Sequence, residues 1–176
     1  ALAGLSDGKD ALMSMIEFPR IKLVDLVADF PGVFDSARHV DVGIGWLALV
    51  RAFVEEALLH DPSLSVLEIK EKWGGMRIWC ESPVLQARLA KGKAEIKSGT
   101  ACEVCGAAGW IRRPPPGRYA WWRCVCDNHA SDDQKSWGTH RAGRMAGMMQ
   151  CQGGWYRYDE STDAMLPSEP PEGWGR

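Results

Sequence analysis

Apolar residues recur at intervals of three and four across residues 42–60. Trp46, Leu47, Val50, Phe53, Val54, Ala57 and Leu58 share one side, and Glu55 and Glu56 take the other. That period lays a continuous apolar stripe along an α-helix, so the stripe reads as core rather than as a cofactor contact. Gly43 and Gly45 stand ahead of it, and His60-Asp61-Pro62 closes it, because the residue before a proline is driven out of the helical region. Two weaker helices precede it. Asp10–Phe18 carries Ala11, Leu12, Met15 and Ile16 and stops at Pro19. Lys22–Phe30 carries Leu23, Leu26 and Val27 and stops at Pro31-Gly32.

After residue 64 the period changes to two. Leu67, Ile69 and Trp73 alternate with Glu68, Lys70 and Lys72, a half-buried strand broken only by Glu71. Gly74-Gly75 supplies a two-residue turn, since both can take positive φ, and Met76–Cys80 returns as the second strand. Pro83 suits the first turn of a helix through Val84, Leu85, Leu89 and Ile96, which Gly92 weakens and Ser98-Gly99 ends. Further on, Trp110-Ile111 and Tyr119–Cys124 read as strands flanking an Arg112–Arg118 loop. Ala130–Met148 reads as a helix broken by Gly138, Gly143 and Gly147, and Gly153–Tyr158 as a final strand. Beyond Asp159 the acidic, Pro-rich chain has too little apolar content to fold alone. The expected class is α+β: helices packed on a small antiparallel sheet, with a zinc-ribbon-like or treble-clef-like module. The expected division is a core domain over 1–98, a zinc-binding module over 99–150, and a short strand with a flexible tail over 151–176.

The cysteines supply the chemistry. Cys102 and Cys105 are separated by two residues, as are Cys126 and His129, and twenty residues lie between the pairs. Zinc takes four thiolate or imidazole ligands at tetrahedral corners, and a turn with this spacing presents two donors to one ion. The expected set is Cys102, Cys105, Cys126 and His129 holding Zn2+. Cys124, two residues before Cys126, and His140 are the competing fourth ligands. A complete set of four leaves no open coordination position, so the metal is expected to be structural and the protein non-enzymatic. A zinc-dependent nuclease would need a base or second metal near His129, Asp132, Asp133 or His140, and no trusted spacing supports one. Six cysteines could instead form three disulfides. No apolar leader with a cleavage site is present and the spacing fits metal better, so a reducing cytoplasm is the expected compartment. No apolar run approaches the ~20 residues of a membrane span.

Three blocks resemble one family: Val42-Gly43-Ile44-Gly45-Trp46 at a helix start, Ile69-Lys70-Glu71-Lys72-Trp73-Gly74-Gly75-Met76-Arg77-Ile78-Trp79 at the hairpin, and Cys102-Glu103-Val104-Cys105-Gly106 with Cys126-Asp127-Asn128-His129. The family comprises small uncharacterised proteins of phages and bacteria with a K-E-K-(F/W)-G-x-(L/M)-R hairpin and a C-x2-C…C-x2-(C/H) site. Trp73 and Trp79 stand where Phe and Tyr are usual. The resemblance implies a phage or mobile-element setting and, by association, a protein that inhibits or redirects host machinery, including defence complexes of the CRISPR type. It implies no activity.

Charge adds a second signal. The whole chain carries a net charge of -2, yet residues 85–123 hold Arg88, Lys91, Lys93, Lys97, Arg112, Arg113, Arg118 and Arg123 against only Glu95 and Glu103. Trp110, Tyr119, Trp121 and Trp122 lie in the same stretch. Arginine and tryptophan are common interface anchors, which makes Arg112, Arg113, Arg118, Trp121 and Arg123 the expected partner contacts. The first expectation is a zinc-stabilised protein binding a host protein or nucleoprotein. The alternative is a nucleic-acid-binding module, since cations neutralise phosphates and aromatic faces stack on bases.

Overall fold

The computed structural model describes residues 18–140 and 147–174. The helix expected over Asp10–Phe18 therefore lies, apart from Phe18, outside the described residues. The described chain is α+β. Helix α1 (Leu23–Asp29) leads to a short strand β1 (His39–Asp41). A single 3-10 turn over Ile44–Trp46 then opens α2 (Leu47–Leu58). Strands β2 (Ser65–Lys72) and β3 (Gly75–Glu81) form the hairpin, and α3 (Leu85–Ser98) follows. Pro83 sits before this helix rather than in its first turn, with Val84 at the N-cap.

The central sheet has the order β1-β2-β3. β2 and β3 are antiparallel, whereas β1 joins β2 in parallel, so this sheet is mixed. One face turns Val66, Ile69, Met76 and Ile78 inward. They meet Leu26 of α1, Val50, Phe53, Val54 and Ala57 of α2, and Ala87, Ala90 and Ala94 of α3 in one core. Trp46 is fully buried and donates its indole N–H to the Ala101 carbonyl at 2.7 Å.

Two features of the hairpin differ from the alternating pattern. A register irregularity between Val66 and Glu68 sets Leu67 apart from the inward row. The turn residues are Trp73 and Gly74, not Gly74 and Gly75, with φ of 58° and 76°. Keeping Met76 and Ile78 in the core pairs Lys72 with Gly75, and this register pushes Trp73 into the turn.

The second sheet has the order β5-β4-β6, from β4 (Trp110–Arg112), β5 (Arg123–Val125) and β6 (Thr139–His140). The strand expected over Tyr119–Cys124 is confined to Arg123–Val125. The broken helix expected over Ala130–Met148 reduces to α4 (Asp132–Ser136), held by a Ser131–Gln134 capping box, and residues 141–146 are outside the described set. Ile111 and Cys124 of this sheet belong to the main core, so packing is continuous across residue 98.

The third sheet, β7-β8-β9, was not expected. It comprises β7 (Met148–Cys151), β8 (Gly154–Asp159) and β9 (Ala164–Ser168). Within the acidic, Pro-rich stretch expected to be a tail, Ala164–Ser168 is therefore a paired strand. The sheet leans on α3 at Gly92, where a Cβ would lie 1.9 Å from Met149 Sδ, so the missing side chain is the socket for Met149. Asp163 completes the contact by accepting from Lys97, Lys93 and Tyr158.

Candidate metal centre

Two backbone turns carry the four donors. In the first, Gly106 N–H donates to Cys102 O at 2.7 Å, and Cys102 N–H donates to Ala107 O at 2.7 Å. In the second, His129 N–H and Ala130 N–H donate to Cys126 O at 3.0 and 2.9 Å. Glu103 N–H bonds Cys124 O at 2.9 Å, which holds the turns face to face. The Sγ atoms of Cys102, Cys105 and Cys126 and a ring nitrogen of His129 all lie within 4.8 Å of one another.

Three edges of this cluster have lengths close to those of a coordination tetrahedron. With metal–sulfur bonds of about 2.3 Å and a metal–nitrogen bond of about 2.0–2.1 Å, those edges are about 3.8 Å between sulfurs and about 3.5 Å between sulfur and nitrogen. Cys105 Sγ lies 3.8 Å from Cys126 Sγ. His129 Nδ1 lies 3.6 Å from Cys102 Sγ and 3.3 Å from Cys126 Sγ. The four residues thus form a candidate metal site, and none of the six cysteines is disulfide-bonded.

The Cys126 and Cys102 thiols shift in opposite directions. Burial opposes ionisation of Cys126, but the His129 imidazole and the N–H groups of His129 and Asn128 outweigh it and bring the thiol down to about 7. Burial pushes the Cys102 thiol up, against N–H groups of Cys126, Cys105 and Val104 that support its charged form. A metal ion would offset that burial cost. Cys124 lies in the main core, where burial, and then the charge of Glu103, pushes its thiol up. It stands outside the donor cluster. His140 lies in β6, paired with Ile111.

The centre is joined to the main core through α2. Gly45 N–H donates to Glu103 O at 3.0 Å. A Cβ on Gly45 would stand 2.3 Å from Cys102 O and 2.6 Å from Gly106 N, and one on Gly43 would stand 2.0 Å from Glu103 O. These glycines let the first metal turn lie directly on the helix entrance, a role that their position before the apolar stripe did not disclose. An open cleft of about 660 Å³ runs beside this junction, walled by Leu47, Ala48 and Ala52 on one side and Cys105 and Gly106 on the other.

The expected partner residues divide. Arg112 is buried and bonds Asp127 of the second turn, while Arg123 bonds buried Glu103 at 2.9 Å and lies 4.4 Å over the Phe18 ring. Both point inward and brace the metal turns, so neither is an exposed contact. Burial pushes the Glu103 carboxyl up to about 7, with Arg123 pulling the other way. Arg118 pairs with Asp133 and covers Trp137. Arg113 remains exposed over the Trp122 ring at 4.8 Å, and Trp121 is exposed with its N–H on Glu71. Trp73, 59% exposed, packs edge-on against Trp122 at 5.1 Å. Trp73 was read as a strand residue, and its place in this cluster follows from the shifted turn.

Comparison with known protein families, curated proteins and solved structures finds no match. The site's own chemistry therefore carries the functional reading. No helix among the described residues is long and apolar enough to cross a membrane.

Proposed function

We propose that this is a zinc-stabilised, non-enzymatic binding protein whose aromatic hairpin tip engages a partner protein, alone or within a nucleoprotein, and modulates it. Zinc suits three thiolates and one imidazole at tetrahedral spacing. Four protein donors complete the shell of a structural site and leave no position for a substrate or a water nucleophile. A reducing compartment suits free thiols held for metal.

The observation that carries the reading is Trp73. A bulky aromatic occupies a turn position with φ of 58°, where an L-residue costs roughly 1–2 kcal/mol relative to ordinary backbone. It is exposed there, beside Trp121, Trp122 and Arg113. Strain retained at an exposed tryptophan points to use of that side chain. Tryptophan and arginine are the residues that most often anchor protein interfaces.

Spatial pairing of charges favours a protein partner over nucleic acid. Six of the eight basic residues in 85–123 have a carboxylate within ion-pair distance: Lys91 with Glu95, Lys93 with Glu56 and Asp163, Lys97 with Asp163, Arg112 with Asp127, Arg118 with Asp133, and Arg123 with Glu103. Four of these residues meet acids from elsewhere in the chain, Glu56, Asp127, Asp133 and Asp163, which weakens the net field offered to a phosphate backbone. The test uses wild type and Trp73→Gly as paired baits in a nuclease-treated extract of the encoding cells. One stoichiometric protein retained by wild type and lost by the variant is expected. Tight oligonucleotide binding that collapses with salt would favour the nucleic-acid reading instead.

A further inference from the structure

The metal centre is asymmetric in its exposure. Cys102 is fully buried, Cys105 is exposed and Cys126 is half-buried. The two accessible sulfurs are 3.8 Å apart and sit in separate backbone turns. Closing them to the ~2.05 Å of a disulfide requires an approach of under about 2 Å. Cys80 is half-buried in β3, and Cys151 is buried in β7.

We propose that Cys105 and Cys126 form an oxidant-reactive dithiol, which a hydroperoxide converts to a disulfide with loss of the metal. The proposal rests on the zinc reading of this site. One thiolate attacks a peroxide oxygen, the O–O bond breaks, and a sulfenic acid forms with release of hydroxide or alkoxide. The second thiolate attacks the sulfenic sulfur, the S–S bond forms, and hydroxide leaves. The two sulfurs together lose two electrons, and with two protons from solvent the peroxide is reduced to two waters, or to water and an alcohol. Cys102 and His129 then remain as two donors, half the number a structural zinc site requires.

The consequence reaches the main fold. The turn that carries Cys105 is the surface on which Gly45 rests, and it forms one wall of the cleft beside α2. Loss of the metal frees that wall. The centre then acts as a clamp whose release is triggered from its exposed edge.

The experiment uses the full-length protein as purified, with zinc measured first. Hydrogen peroxide is added in steps. Zinc release is followed with a chromogenic chelator, and non-reducing peptide mapping with fragmentation locates the oxidised cysteines. The expected result is zinc release in step with a Cys105–Cys126 disulfide, before oxidation of Cys80 or Cys151, reversed by dithiothreitol and added zinc. Zinc retained while Cys80 or Cys151 oxidises would overturn the proposal. So would a bond through Cys102, or over-oxidised Cys105 without a cross-link. Protein that contains no zinc at the outset would refute the zinc reading on its own, and the mapping would still decide whether the dithiol pairs.

Discussion

A single missing methyl group at Gly45 determines whether the helix entrance and the metal turn can touch. The atoms that a Cβ would strike belong to backbone at Cys102, Cys105 and Gly106, and none of them can rotate away. Gly45→Ala should therefore cost at least about 2 kcal/mol in urea denaturation and speed metal loss to a chelator, since overpacking against rigid backbone is expensive. At Trp73 two terms of similar size oppose each other. Replacing it with glycine relieves roughly 1–2 kcal/mol of backbone cost and forfeits an aromatic pair worth ~0.5–1.5 kcal/mol. Trp73→Gly should then leave stability within about 1 kcal/mol of wild type while weakening partner binding by about 2 kcal/mol or more, read by calorimetry once the partner is in hand. The four candidate donors, which the fold clusters, were legible because each pair is local, two residues apart. The seating of Gly45 was not, because its partner backbone arrives from far along the chain.

The elements show where pattern reading stops. The stripe of α2 was complete in the sequence, because helical burial is written at a fixed local spacing. The hairpin was legible as a pair of strands but not in register, since the inward placement of Met76 and Ile78 outweighs the glycine pair in choosing the turn. The β7–β9 sheet escaped because its support is non-local: the Met149 socket at Gly92 and the Asp163 cluster on α3. Hydrogen bonding from Lys97, outweighing burial and aided by Tyr158, holds the Asp163 carboxyl down to about 2. A carboxylate whose folded pKa is depressed contributes stability above its unfolded value of about 3.9 and loses it as pH falls toward the folded value. Amide exchange in β8 and β9, corrected for intrinsic rates, should therefore lose protection between about pH 4 and pH 2. Asp163→Asn should flatten that dependence. The carboxylate is about half exposed, so solvent screening holds the effect below about 1 kcal/mol.

For the molecule as a whole, the candidate metal site is packed against the main core rather than appended to it. Ile111 and Cys124 reach from its sheet into the main core, and Trp46 and Gly45 reach back to Ala101 and Glu103. Sequence proximity suggested a basic patch over residues 85–123, and the fold brings Asp127, Asp133, Glu56 and Asp163 alongside four of its eight basic residues. Such cancellation is invisible along the chain because the partners lie in other elements. Chelation should accordingly lower the melting temperature of the whole domain and not only loosen residues 99–130, because binding energy at a site absent from the unfolded chain is folding energy. The most direct test of this account is metal analysis by inductively coupled plasma mass spectrometry on native protein beside a Cys102→Ser variant, with thermal denaturation of both. The account predicts about one zinc per chain, lost together with stability in the variant. Native protein free of zinc, with a Cys102→Ser variant of undiminished stability, would contradict it.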